Sequence, residues 1–496
     1  MQHDFLLPIA WGQLSSRHPK LAELSEHLWV ILYAARLSED DFWLNIGALR
    51  PRKLQRAFVG KKGQYDTARG HVNRRILSIE KIFTLVLSVF LIQRDEPSPL
   101  WADESAILNQ FHPYSQRVPH LPGLEPGVTL SQGNAQLAKE VLPDEILHLL
   151  TDGDFTITIQ ETTDLPLRQP YIDATLQQWQ GVVLNGGGTL ANYRSGVPFP
   201  VLDPTDPQAG EKLAWDLRYR DFGETFEMRI TTREVNAAGR VEHFDSGIQR
   251  IRFGMHRPNP ADDDPQWQAE GILQKNSFEV LSPSDREGVI RILIVYDDDT
   301  RGAEQWRYAP QTRRTRKDSL NYLAQIGGAY EALQEEAPPF FFSGYVHAYR
   351  WAFLGARVML VPGFATTTEL PFGGTHGWYP QVPWELRHVQ VLECTPKDSH
   401  PYGRRIYVLD QQSYAPLLIL TYTPAGGFLR LILNAHAHPS FHPGSHGVGL
   451  PLLIGGTAIN YVQERATLYT AASSATFNLP LAAQRFGLME MLRRGK

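Results

Sequence analysis

Polar and apolar positions alternate with a period of two over much of the second half of the chain, as expected of strands that bury one face. Residues 226–235 (FEMRITTREV), the turn NAAGR and residues 241–253 predict a long hairpin. Residues 278–281, 289–296 and 304–308 continue the pattern, with DDDTRG as a turn. Further strands are predicted at 348–361, 388–395, 404–410, 417–422, 428–434 and 461–469. Their connections are mostly too short for crossover helices, so the sheet is expected to be mainly antiparallel. The predicted class is mainly β, a large antiparallel open barrel or half-barrel with a few helices, filling residues 213–496. A long meander of this kind curls as it grows and can enclose an apolar pocket.

Residues 103–212 read as loop-rich and helical. In 134–150 (NAQLAKEVLPDEILHLL) apolar residues recur at helical spacing on both sides of Pro143, and Asp144 and Glu145 follow that proline as a fresh helix start would. A second helix is predicted at 170–179, a strand at 155–160 (FTITIQ) and a turn at 186–188. No internal repeat and no low-complexity tract is present.

Ahead of this region, residues 82–92 (IFTLVLSVFLI) follow the positive flank of Arg74, Arg75 and Lys81. The stretch is too short for a membrane span of ~20 residues and fits the hydrophobic region of a secretory signal peptide. Residues 72–102 are therefore expected to be the signal, cleaved after Ala102, although Leu100 stands where a small residue is preferred. That leaves a leader, 1–71. Between residues 50 and 75 stand nine Lys or Arg against one acid, Asp66, a block that stays on the cytoplasmic side. The leader is either a cytoplasmic extension or an over-long reading frame whose translation starts at Val72. The competing reading makes 82–92 a buried helix paired with 28–37.

Composition narrows the function classes. With 42% hydrophobic and 20% charged residues the chain is globular, and a net charge of −5 with a pI of 6.4 argues against a nucleic-acid partner. The single cysteine, Cys394, excludes an internal disulfide and lies in the strand-like run VQVLEC, where a small buried hydrophobe is expected. It is also far from the signal, so it is no lipid-attachment site, and the mature protein is expected to be soluble.

The best argument for an enzyme is residues 434–447 (NAHAHPSFHPGSHG). His436 and His438 would share a strand face and His442 and His446 follow within reach, a set that could hold zinc or copper in a metal-dependent hydrolase. The plain alternative is exposed polar residues in a Pro/Gly-rich loop, and no carboxylate in the stretch can act as base. No nucleophile elbow, phosphate loop, dinucleotide fingerprint or His-Glu-x-x-His motif occurs.

Trp306, Tyr308 and Pro310, followed by Arg313, Arg314 and Arg316, resemble the Trp-x-Tyr-x-Pro and Arg-Arg-x-Arg signature of a bacterial family known as domain of unknown function thirteen twenty-nine. Its other landmarks follow in order: GVPFP at 196–200, AWDLRYR at 214–220, YRWAFLG at 349–355, WELRHVQVLE at 384–393 and RRIYVLD at 404–410. The chain departs from the pattern at Gln311 and Thr312, where the family commonly has Gly-Gln. The family is similar to outer-membrane lipoprotein-sorting proteins of the LolA and LolB type, whose fold is an open antiparallel half-barrel around helices. The resemblance implies an exported, periplasmic carrier or adaptor for a hydrophobic, lipid-like molecule, with an RND-type exporter and an outer-membrane protein as partners. It implies no catalytic residue and no cofactor. Trp306, Tyr308, Arg313, Arg314, Arg316 and Trp351 are the expected ligand contacts, the arginines gripping a phosphate or carboxylate or docking an acidic partner. Against this, the arginines read equally as a solvated turn, and Trp306 and Tyr308 as core. A structural adaptor that carries nothing is the third reading.

Overall fold

The computed structural model describes residues 104–494 apart from 116, 187–188, 319–344, 368, 442–448 and 472–474, all within one compact unit, Ala102–Lys496. The predicted leader and signal peptide lie outside the described residues.

One fifteen-stranded sheet organises this unit. Its strands in chain order are β1 (Thr225–Asn236), β2 (Val241–Phe253), β3 (Ile272–Ser282), β4 (Ile290–Tyr296), β5 (Glu304–Ala309), β6 (Arg314–Asp318), β7 (Tyr349–Pro362), β8 (Phe364–Ala365), β9 (Trp384–Pro396), β10 (Arg404–Asp410), β11 (Pro416–Tyr422), β12 (Phe428–Ala437), β13 (Leu452–Asn460), β14 (Arg465–Thr470) and β15 (Thr476–Phe477). The spatial order is β6-β5-β4-β3-β2-β1-β14-β13-β12-β11-β10-β9-β7, with β8 on β12 and β15 on β1. Every pairing is antiparallel except β8 with β12. The expected mainly β class with a large antiparallel open sheet and few helices is what the chain forms. The helices are α1 (Glu104–Phe111), α2 (Asp144–Asp152), α3 (Gln169–Gln178), α4 (Ala209–Arg218), α5 (Pro265–Glu270) and α6 (Leu488–Arg494).

The chain builds this sheet from its middle outwards. β1 to β6 run to one edge as a meander, and β7 to β14 then start from the other edge and work inwards until β14 meets β1, with Thr467 opposite Glu234. The two edges, β6 and β7, are not paired, yet the turn after β4 reaches the start of β7. The Ala303 N–H donates to Tyr345 Oη at 2.8 Å, and the His347 N–H donates to Asp299 Oδ2 at 2.7 Å. Elements so far apart in strand order can meet only if the sheet curves back on itself.

Over half its width the sheet is buried on both faces. Val391, Val408, Leu418, Leu420, Leu431, Leu433 and Ile459 point to one side, where residues 124–165, including α2, cover them. Leu392, Cys394, Tyr407, Ile419, Ile432 and Ala458 point to the other, against α1, α3 and α4. This explains the unbroken apolar run PLLILTY of β11, which is buried at every position. The two faces are filled with side chains rather than hollow. Cys394 is buried, as expected of a small apolar residue.

Four features differ from expectation. The strand expected at 461–469 is two strands displaced: β13 ends at Asn460, whose Oδ1 accepts N–H bonds from Val462 and Gln463 to form the turn, and β14 begins at Arg465. The expected strand at 155–160 shrinks to Ile157–Thr158, paired with Thr129–Leu130. Helix α4, which runs into the AWDLRYR landmark, was not predicted and spans the boundary drawn at residue 213. Of the helical pattern predicted at 134–150, the part after Pro143 forms α2, while the part before it holds only a 3-10 turn at Ala135–Ala138; the second predicted helix forms as α3.

Helix α4 lies on β7 at Gly210, where a Cβ would stand 2.6 Å from Ala352 N and from the Trp351 carbonyl carbon. Both obstacles are backbone, so neither can yield by a rotamer change. Gly210→Ala should therefore destabilise the protein by ~1–3 kcal/mol through overpacking, read as a lowered urea midpoint with unchanged slope.

Candidate functional site

The residues singled out by sequence fall into separate places. Trp306 and Tyr308 share one face of β5 and pack with Ile290, Ile292 and Met491 of α6, and Tyr308 is fully buried. Lys317 Nζ lies 5.9 Å from the Trp306 ring centre and 2.9 Å from Glu304 Oε2. Arg313 closes the β5–β6 turn with φ of 52°, and Arg313, Arg314 and Arg316 are exposed. Because β6 is an edge strand, cations there also deter a further strand from adding to the sheet. Trp351 stands on β7, at the opposite end of the strand order, donating from Nε1 to the Val346 carbonyl at 2.8 Å between Tyr349 and Tyr407. The six expected ligand contacts thus divide into a hairpin at one edge and one aromatic at the other.

The histidines also separate. His436 is buried near the end of β12, and a bulge between Ala435 and His436 shifts its register. His438 lies beyond the strand, with Nε2 2.9 Å from the Asp164 carbonyl and Nδ1 accepting the Ser440 N–H at 3.2 Å. His442 and His446 lie outside the described residues. Among the described residues no three His, Cys, Asp or Glu side chains gather as a metal-ligand set.

The landmark motifs meet in two buried polar clusters that sequence reasoning did not resolve. In the first, Arg387 of WELRH donates from NH1 to Glu385 Oε2 at 2.7 Å and from Nε to Asp410 Oδ1 at 2.8 Å, and all three side chains are wholly buried. Glu385 also accepts from Gln160 Nε2 at 2.6 Å and from the N–H groups of Thr163 and Phe364 at 2.9 and 2.8 Å. Gln412 Oε1 accepts from Arg387 NH2 at 3.1 Å, while its Nε2 donates to the Phe111 carbonyl at 2.8 Å and to Asp164 Oδ1 at 2.7 Å. Burial works against the charge on Arg387, but Asp410 and Glu385 outweigh it and hold its pKa above the ordinary value.

The second cluster is built on AWDLRYR. Asp216 Oδ1 accepts the Phe199 N–H of GVPFP at 2.8 Å, and burial pushes its pKa well above the usual carboxylate range. Arg218 pairs with Asp299 at 2.8 Å, and Tyr219 Oη donates to Asp297 Oδ1 at 2.6 Å. The same carboxylate oxygen lies 2.8 Å from His256 Nε2. Burial alone would lower the His256 pKa, but the bond and charge of Asp297 raise it. Burial likewise opposes the charge of Asp297, yet His256 and Tyr219 bring that pKa down to about 2.

Arg220, the last residue of this motif, lines a cleft of about 40 Å³ together with Asp221, Phe222, Ser413, His436 and Phe477. Its NH1 donates to the Leu217 carbonyl at 2.7 Å and its guanidinium lies 4.1 Å from the centre of the Phe222 ring. Burial pulls its pKa down to about 9, so it remains a cation at neutral pH. Beside it, burial and the charge of Arg220 pull His436 down to about 3, which keeps the imidazole neutral. His436 Nδ1 is buried without a hydrogen-bond partner. The cleft therefore brings the Arg220 cation, the Asp221 carboxyl and a neutral imidazole together beside apolar side chains. Arg220 stands two residues beyond the end of α4, and its place in the AWDLRYR landmark was its one signal in the sequence. A wider groove of about 330 Å³ runs along Val118, Leu124, Ile159 and Leu386.

The family model described as "Protein of unknown function (DUF1329)" matches residues 129–475, and the chain belongs to that family. Among solved structures the chain is similar to a domain named as an outer membrane lipoprotein-sorting protein from Vibrio parahaemolyticus, at 17% identity and a TM-score of 0.40 over 58% of this chain and 100% of that one. It is also similar to a DUF1329 family protein from Desulfovibrio piger, at 14% identity and a TM-score of 0.38 over 58% of this chain and 100% of that one. A LolA superfamily protein from Nitrosomonas europaea matches at 11% identity and a TM-score of 0.31, over 55% of this chain and 93% of that one. No curated protein matches the chain. No helix among the described residues is long and apolar enough to cross a membrane.

Two outcomes follow from the clusters. Arg387→Met leaves Glu385 and Asp410 buried without their cation and should cost about 3–5 kcal/mol in urea unfolding. For the His256–Asp297 pair, the raised histidine contributes stability below its unfolded pKa of ~6.5 and loses it as pH rises through the folded value. The depressed aspartate contributes above its unfolded ~3.9 and loses it as pH falls towards 2. The stability difference between wild type and His256→Gln should therefore be largest between about pH 4 and 6.5 and shrink on either side, measured by urea titration across pH.

Proposed function

We propose that this protein is a periplasmic carrier that binds a hydrophobic, lipid-like molecule non-covalently and passes it between an inner-membrane exporter and the outer membrane. The observation that carries the reading is the open antiparallel sheet of a chain that belongs to this family, with a groove of about 330 Å³ lined by Val118, Leu124, Ile159 and Leu386. The predicted signal at 72–102 supports the compartment.

The exposed Arg313, Arg314 and Arg316 hairpin favours a second reading, an adaptor that docks an acidic surface of an exporter or outer-membrane component. Histidine-loop metal chemistry has less support, since the hydrogen-bond partners of His438 already occupy both its ring nitrogens.

Native mass spectrometry with solvent extraction, on full-length protein expressed with export and purified without detergent, should show a co-purifying lipid-like mass at a substantial fraction of one per chain. Empty protein that still captures an exporter or outer-membrane component, and loses it in Arg313→Glu/Arg314→Glu, would replace the carrier by the adaptor.

A further inference from the structure

We infer that His256 works as a proton-operated latch: as an imidazolium it ties the strap of residues 193–195 to the turn after β4, and as a neutral ring it lets the strap go. The device is independent of what the protein carries.

The two ring nitrogens decide its charge. Nε2 lies 2.8 Å from Asp297 Oδ1, and Nδ1 lies 2.8 Å from the Arg194 carbonyl oxygen. A carbonyl only accepts, and so does a carboxylate whose pKa is brought down to about 2. Each nitrogen must therefore carry a hydrogen, which makes the ring a cation on hydrogen-bond grounds, at distances typical of charge-assisted bonds. His256 also stands at φ of 61°, a conformation that such a residue keeps mainly where its surroundings impose it.

The groups around the ring set when the proton leaves. Asp297 from the turn and Asp263 from the segment before α5 face it, and Asp263 also accepts the His256 backbone N–H. Tyr219 at the end of α4 and Tyr193 of the strap pack on it, with ring centres 5.3 and 4.8 Å away. Burial holds both phenols well above their ordinary pKa, so neither titrates with the histidine. Of the nearby cations, Arg218 is paired with Asp299, Arg257 donates from Nε to the Phe253 carbonyl at 3.0 Å, and the Arg194 side chain is exposed. Burial works to lower the His256 pKa, but the bond and charge of Asp297 raise it past the ordinary value. The latch is therefore closed below that raised value and opens as pH rises through it.

A neutral ring keeps one hydrogen. The carboxylate is the stronger acceptor, so the hydrogen stays on Nε2 and the Nδ1 lone pair then faces the Arg194 oxygen. On its other side the strap is held by Gln178 of α3, whose Oε1 accepts the Arg194 N–H at 2.6 Å and the Ser195 N–H at 3.3 Å. Released from His256, the strap swings about that anchor and these two amides open more often. Tyr193 moves with it and uncovers Tyr219, whose ring centre lies 4.3 Å from its own.

Hydrogen exchange of the full chain, followed by mass spectrometry from pH 5 to 9 and corrected for the intrinsic rate at each pH, tests this. Protection of peptides covering residues 193–197 should fall ~10-fold or more in a one-proton step centred above pH ~6.5, the scale of one hydrogen bond to a charged group. Peptides of β10 to β12 should stay protected throughout. In Asp297→Asn, which keeps an acceptor but removes the charge, the step should move to lower pH by about one pH unit or more. His256→Asn, a residue that tolerates the left-handed conformation, should show low strap protection and no step, with protection in β10 to β12 showing that it is folded. Wild-type strap protection that ignores pH, or a step that survives in His256→Asn, would overturn the latch. A step left in place by Asp297→Asn would do the same, so the test stands even where His256→Asn does not fold. Loss of protection in the strap and in β10 to β12 at one pH would replace the latch by global unfolding.

Discussion

The structure depends on three charges removed from water. Glu385, Arg387 and Asp410 have no exposed side-chain surface. Desolvating such groups costs several kcal/mol each, and the attraction between them offsets that only if the remaining lone pairs and N–H groups also find partners. Residues outside the sheet supply those partners: Gln160 and Thr163 bond Glu385, and Gln412 links Arg387 to Asp164 and to the end of α1. A half-satisfied network of this kind is worse than an apolar core. Residues 160–165 are therefore confined to one path across the sheet, and the apolar segments before them cover one face in one register.

The same cluster reaches the cleft. Asp410 Oδ2 accepts the Ser413 N–H and hydroxyl, at 2.9 and 2.7 Å, and so fixes the β10–β11 turn that forms one side of it. Tyr414, next in that turn, has φ of 55°, a conformation that a bulky residue keeps only where its surroundings impose it. Phe364, whose N–H is held by Glu385, also carries the ring that faces His436 at 5.8 Å. A buried ionic cluster in the sheet thus sets the position of a wall residue and of the imidazole.

Much of the sheet was legible because strands that bury one or both faces leave a period of two or an apolar run. The hairpin β1–β2 and strands β9 to β12 show this directly. β6 was not legible, because Arg-Thr-Arg-Lys-Asp is polar throughout and is a strand only by pairing with β5. β13 was missed for the opposite reason. LLIGGTAIN is buried at every position and contains two glycines, so it neither alternates nor reads as a strand by propensity. The join of β14 to β1 brings residues more than two hundred positions apart into register, and no local pattern encodes it. The sites follow the same rule. The Trp306 hairpin is contiguous and was visible, whereas Arg220, Ser413, His436 and Phe477 come from four distant segments and only the fold collects them.

A sheet packed on both faces leaves little room for cargo within its core. The core clusters are already dry, so a ligand could gain there only by displacing apolar contacts as good as its own. An added ligand has more to gain where apolar side chains line a concavity, as Val118, Leu124, Ile159 and Leu386 do along the wider groove, than between the sheet and the segments that already cover it.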